Sequence, residues 1–448
     1  MNEWTEAESR AERAQNLYEE GRWAEAAAEL RAAIDIVPYN PAWYFNLALT
    51  LEAMEDYTRA CRAYRSALSL SPDDVEALNC LGMNLTRLGR YAEALRCFRQ
   101  AERLDPTSEP TYCNRIVTYT EMGCHDQAEV MFYLARQLKA DCAACYHNIA
   151  VSLYARADVD RAMWCWQHAL EIDPAHPEAH FRLAEAHWNR GELPDAARHY
   201  QVELRLHGDD IATLLDYGEL LMEMGRLPAA RRKFRRVLEQ SPDNADAHFY
   251  LGELAMLREQ MEVAEEQFRL VMRLDRDYPG VRARLGRVLL RRGRRDEARS
   301  QVLAELKLAG DDPELLEELS ELLIETGQTY RANRVLRRLA SLQPRDASVR
   351  HNLAVSFFML DRLDDGIRQC RRALKLRPDY PLALYNLAMA HLQKGDLRRA
   401  RRYVSRALVL APRDEAVAKL ARRISHAGFW QRLRLRLTPR RGARNISA

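Results

Sequence analysis

Apolar and small residues return along this chain with a period of 34, longer than any single helix or strand requires. Segments 41–74, 75–108, 143–176 and 381–414 align at that spacing without gaps. Extending the register gives twelve copies, starting at 7, 41, 75, 109, 143, 177, 211, 245, 279, 313, 347 and 381. Such a period marks a supersecondary unit that cannot bury its apolar face alone and stacks on its neighbours. Within each copy the apolar spacing is helical and is broken twice, which predicts two helices per copy folded into a hairpin.

The breaks and small residues say how each hairpin closes. Position 20 of the copy is Ala in eleven cases, from Ala26 and Ala60 to Ala400, and Gly366 in the other. Two helices in a tight pair need a small residue where their backbones approach. Position 8 is also small (Ala48, Gly82, Ala150, Gly252, Ala388), with Ile116 the exception. Position 24 is large, as in Tyr64, Phe98, Phe132, Trp166, Tyr200, Phe234 and Phe268. Pro38, Pro72, Pro106, Pro174, Pro242, Pro344, Pro378 and Pro412 at position 32 stop the second helix. Gly21, Gly89, Gly123, Gly191, Gly225, Gly293, Gly327 and Gly395 at position 15 suit the turn between helices.

This pattern resembles the tetratricopeptide repeat family, over 408 of the 448 residues. The resemblance implies an all-α fold: a right-handed superhelical solenoid of about twelve antiparallel helix pairs with a C-terminal capping helix. First helices line a concave groove and second helices lie outside. The expected organisation is a lead-in at 1–6, the solenoid at 7–414, a capping helix at 415–427 and a flexible basic tail at 428–448. Val417, Leu420, Ala421 and Ile424 supply the stripe that covers the last repeat. Copies six and nine replace the position-32 Pro by Gly208 and Gly310, and the usual small residue at position 27 by Glu203 and Glu305. A bulky charge there is expected to loosen the packing, so joints are placed near 210 and 312.

Chemistry is sparse. There is no phosphate loop, no dinucleotide fingerprint, no nucleophile elbow and no HExxH helix, and the solenoid leaves no room for a catalytic domain. The chain is therefore read as non-enzymatic, with no cofactor and no metal. Nine Cys behind an acidic start that lacks an apolar signal segment predict free thiols in a reducing cytoplasm. Cys142 and Cys145 form a CxxC next to His147, but Cys124 falls at the other end of the intervening helix, too far away to share a metal. No apolar run approaches the roughly 18 residues that span a bilayer.

Function is sought in the groove. The resemblance implies that positions 5, 6 and 9 of the first helices face it. Asn46, Asn114, Asn148, Asn352 and Asn386 at position 6 are candidates to hold an extended peptide backbone, since an amide both donates and accepts. Phe45, Phe181, Phe249 and Tyr385 at position 5 are candidate apolar anchors. Glu185, Glu219 and Glu253 at position 9 suit a basic residue of the ligand. The expected partners are proteins or extended peptides. No three consecutive copies carry the Lys and Asn clamp with which some family members hold chaperone tails.

The net charge of +3 conceals an asymmetry: residues 1–224 carry 21 basic and 37 acidic residues, and residues 225–448 carry 47 and 28. Acidic and basic halves can associate head to tail. A second class of function follows from the tail, where Arg alternates with Leu after Phe429 and Trp430. Trp430, Arg432, Arg434 and Arg436 could contact an anionic membrane surface or nucleic-acid phosphates. That makes a surface-associated factor the alternative to a scaffold.

Overall fold

The computed structural model describes residues 3–139 and 141–437. Every regular element among them is an α-helix, as expected. The chain divides into two compact units, Met1–Gly225 and Arg226–Ala448. The first holds six helix hairpins, from Glu3–Glu19 with Trp23–Ile36 to Ala179–Asn189 with Leu193–Leu206, followed by the helix Ile211–Glu223. The second opens on Leu227–Gln240 and continues through five hairpins, from Ala245–Leu257 with Met261–Leu274 to Pro381–Gln393 with Leu397–Leu410. It ends on the helix Glu415–Leu437. The unit boundary thus falls inside the seventh repeat and coincides with the change in sign of the charge.

Small residues sit where the helices of a hairpin meet. All eleven position-20 alanines are completely buried. At Gly366 an added Cβ would lie 2.3 Å from the Phe358 ring. Position 8 faces position 24 of its own hairpin. A Cβ on Gly82 would come within 2.4 Å of the Phe98 ring, and one on Gly252 within 2.6 Å of the Phe268 ring. Tyr64, Phe98, Trp166, Tyr200 and Phe268 are buried almost completely. Each aromatic removes roughly 150–250 Å² from water, the largest single apolar contribution of its hairpin.

Position 15 has one backbone conformation throughout. The eight glycines named above have φ between 68° and 76°, or 80° at Gly327, and the other four copies put Glu55, Ala157, Glu259 and Asp361 there with φ of 58–65°. The left-handed turn is therefore set by the hairpin geometry, and a side chain is tolerated there at a cost of about 1–2 kcal/mol.

Glu203 and Glu305 also have a role that the residue pattern does not suggest. The helices Ala179–Asn189 and Val281–Arg291 start late, behind residues in the left-handed region, Glu178 (φ 63°) and Gly280 (φ 75°). The buried Glu203 carboxylate accepts the Phe181 N–H at 3.1 Å. Glu305 accepts the N–H groups of Gly280 and Arg282 at 2.9 and 3.3 Å. These carboxylates satisfy first-turn donors that have no helical partner, so the bulky charge acts as a cap across the hairpin. Elsewhere that work falls to position 34, where Asn40, Asp74, Asp210, Asn244, Asp312 and Asp346 accept first-turn N–H groups.

The closing stripe forms as expected: Val417, Leu420 and Ile424 are buried against Leu384, Ala388, Val404 and Ala407. Trp430, Arg432, Arg434 and Arg436 lie outside the residues whose side chains are described.

Two substitutions test these constraints by urea denaturation of the full chain. Gly82→Ala should destabilise the first unit by about 1–3 kcal/mol, because the Phe98 ring has no room to yield, despite the better helix propensity of Ala. Ala157→Gly should stabilise it by about 1 kcal/mol by relieving the left-handed backbone.

Candidate functional site

Positions 6 and 9 of each first helix lie one turn apart, so they share a face. Position 6 is half-buried in every repeat from Asn46 to Asn386, in both units. The face is therefore lined by side chains that are held by packing yet still reach solvent. What differs between the units is how those side chains are used.

In the first unit much of the face is open. The side chains of Asn46, Asn114 and Asn148 make no hydrogen bond among the described residues. Asn148 lines a cavity of about 660 Å³ together with Met83, Thr86 and Arg87 from one first helix, Val117 and Glu121 from the next, and His147 and His176. Three successive first helices thus contribute apolar walls, an amide and one charge of each sign. The His147 ring stacks on His176 at 4.9 Å, and burial pushes its pKa down to about 4, so it is neutral at pH 7. Asn46 borders a much smaller cavity of about 30 Å³ with Ala11, Gln15 and Leu49. Phe45 is turned partly inward, edge-on to Tyr64 at 5.5 Å. Phe181 does the same against Tyr200 at 5.8 Å, with the Arg182 guanidinium over its ring at 5.6 Å.

An acidic patch follows on the helices Ala179–Asn189 and Ile211–Glu223. Glu185 is paired with Arg182 at 2.9 Å. Asp216, at position 6, is pushed up to about 6 by burial and then by the negative charges of Glu185 and Glu219. Sequence reasoning passed over Asp216 because it interrupts the asparagine series. Its signal was an acid at position 6 between acids at position 9.

In the second unit the face is largely paired with itself. Arg284 joins Glu253 at 3.0 Å to Glu318 at 2.5 Å. Arg287 contacts Glu318 at 3.1 Å and Glu321 at 3.6 Å. Burial pushes the Glu253 carboxyl up, while Arg284 opposes it. Asn386 is also engaged, its amide 2.8 Å from His351 Nε2, while Asn352 Oδ1 lies 3.3 Å from His351 Nδ1. Phe249 sits among Tyr250, Phe268 and Tyr278 at 5.1–5.8 Å. Tyr385 packs partly buried against the C-terminal core. The candidate residues are thus not equivalent: Asn114 and Asn148 keep unpartnered amides, whereas Asn386 and Glu253 are already paired.

The expectation of nine free thiols needs correction at one pair, because Cys113 and Cys145 are joined through their sulfurs. Cys124 immediately precedes the helix His125–Leu138, at the end away from Cys142.

Sequence models described as tetratricopeptide repeat match residues 41–74 and 75–108, 215–279 and 318–381, 279–304, and 357–424. One described as YpiA-like C-terminal tetratricopeptide repeats matches 177–244. No curated protein matches the chain. Among solved structures, it is similar to the APC/C hetero-tetramer Cut9–Hcn1, with 16% identity, 92% of this chain and 95% of that one covered, and a TM-score of 0.45. Similarity to yeast Tom70 is 15% in identity, with 96% of each chain covered and a TM-score of 0.41. Similarity to Pseudomonas aeruginosa pilF is 20% in identity, over 46% of this chain and 92% of that one, with a TM-score of 0.41.

The Asp216 shift has a defined sign. Its folded pKa of about 6 lies above the ordinary 3.8, so the native state holds its proton more tightly than the unfolded chain. Its cost is absent below about pH 4, grows as pH rises, and is complete above about pH 6. Asp216→Asn should therefore stabilise the protein at pH 7.5, by about 1 kcal/mol once solvent screening is allowed for, and leave stability unchanged near pH 4. Thermal melts of both proteins at the two pH values measure this.

Proposed function

Because the chain belongs to the tetratricopeptide repeat family, we propose that it is a non-enzymatic protein-interaction scaffold that holds an extended segment of a partner polypeptide on its first-helix face. The observation that carries this reading is the 660 Å³ cavity that Met83, Val117 and Asn148 build from three successive first helices. An apolar side chain of the ligand fits between Met83 and Val117. The unpartnered Asn148 and Asn114 amides can each donate to a ligand carbonyl and accept from a ligand N–H, which holds a backbone without selecting a sequence. Farther along, Asp216 suits a ligand Lys or Arg, with Glu185, already held by Arg182, adding negative charge beside it. The pattern wanted is thus an apolar residue followed, some residues on, by a basic one.

The first unit supports this reading better than the second, where Arg284, Arg287 and Asn386 are already paired within the fold. None of the described helices is long and apolar enough to cross a membrane.

Peptides selected from a random displayed library against the full chain supply the ligand for a direct test. Replacing both Asn114 and Asn148 by Ala should weaken a selected peptide about tenfold, corresponding to one or two hydrogen bonds of about 0.5–1.5 kcal/mol each. Isothermal titration reads this out. Unchanged affinity would remove the amides from the mechanism.

A further inference from the structure

Four potential ligand residues converge at the junction of the fourth and fifth repeats. Glu109 and Cys113 lie one turn apart at the start of the helix Glu109–Glu121. Cys142 is the N-cap of the helix Ala143–Ala155, and Cys145 lies in its first turn. One ligand atom from each lies within 4.8 Å of all the others. The three cysteines are buried, at 7, 3 and 1% exposure, inside an apolar cluster. We propose that once a thiol reductant has opened the Cys113–Cys145 bond, taking up its two electrons and leaving two thiols, Glu109, Cys113, Cys142 and Cys145 form a structural zinc site.

The donor set matches zinc chemistry. Zinc in structural sites takes four ligands in a tetrahedron, and zinc–sulfur bonds of about 2.3 Å place sulfurs roughly 3.8 Å apart. Cys113 Sγ and Cys142 Sγ are 3.7 Å apart. Three sulfurs and one carboxylate favour zinc over the hard cations that prefer all-oxygen sites.

Burial and Glu109 hold Cys142 as a thiol in the metal-free protein, and a bound zinc would have to displace its proton. Cys142 occupies position 34, where other repeats place the Asn or Asp that caps the next helix, and its sulfur accepts the Cys145 N–H at 3.0 Å. That bond orients the ligand as outer-sphere partners do in metal sites. The N-terminal ends of both helices point their positive ends at the cluster. Lys139 Nζ, 3.1 Å from Glu109, adds a cation at the rim. Together these offset the negative charge left when three thiolates and a carboxylate surround one divalent ion.

The local sequence also departs from the repeat here. Ile116 replaces the small residue at position 8, and Ala140 stands where eight repeats have Pro. A Cys113–Cys145 disulfide is the competing use of the same pocket. It involves two of the four groups and leaves Cys142 as a helix cap and Glu109 as the partner of Lys139.

The test uses full-length protein purified under reducing conditions from zinc-supplemented medium, with metal measured by plasma mass spectrometry. One zinc per chain is expected, falling to none in the Cys142→Ser/Cys145→Ser double variant and unchanged in Cys370→Ser, whose thiol is buried in the other unit. Replacement by cobalt should give thiolate charge-transfer absorption and the intense visible bands of a tetrahedral site. Glu109→Gln, which spares the buried sulfurs, should weaken zinc at least about tenfold in competition with a chelator, so the test survives misfolding of the double variant. Reduced protein that takes up neither zinc nor cobalt would overturn the site. So would metal retained by a folded double variant, or metal-free protein isolated from cells with Cys113 and Cys145 cross-linked in the peptide mass map.

Discussion

The structure depends on how closely the two helices of each hairpin approach. That approach is possible only because position 20 is Ala or Gly, and because position 8 usually leaves room for the large residue at position 24. Gly82 under Phe98 and Gly252 under Phe268 show how little space remains. The same closeness fixes the register of every first helix on its second helix. Position 6 therefore returns to the same half-buried face repeat after repeat, whatever residue stands there. A repeated packing requirement thus creates a repeated surface whose chemistry is free to vary.

That freedom has been used differently in the two units. The first unit, with its excess of acidic residues, leaves amides and the Asp216 carboxyl at the surface of its face. The second, rich in arginine, ties Glu253, Arg284, Glu318 and Arg287 into one ion-pair chain. In these partly buried pairs the attraction offsets the cost of taking the charges out of water, and they fill the face and leave few groups to offer a ligand. The contrast comes from side-chain pairing between neighbouring repeats and not from any change in backbone.

Where the repeat departs from its own rules, the fold compensates locally. Glu203 and Glu305 break the small-residue rule at position 27 but replace the cap that two late-starting helices lack. Four non-glycine residues accept the left-handed turn at position 15 because both flanking helices hold them there. At the fourth repeat the departures from the pattern coincide with the convergence of Glu109 and three cysteines.

The sequence alone determined the helix pairs, their 34-residue register, the buried small and aromatic positions and the closing stripe at Val417, Leu420 and Ile424. Each of these rests on contacts within one hairpin or between adjacent ones, and short-range periodicity records such contacts directly. It also located Asn114 and Asn148 on a common face, since a helical register assigns faces. Only the tertiary structure decided which face residues remain available, because pairing of Asn386 with His351, or of Glu253 with Arg284, depends on side-chain reach across repeats. The same holds for Cys113. It lies 32 residues before Cys145, nearly one full repeat, and looks like an ordinary apolar position until stacking brings neighbouring first helices together. Residues almost a period apart in the chain become neighbours in space, and a reading of local motifs has no means of joining them.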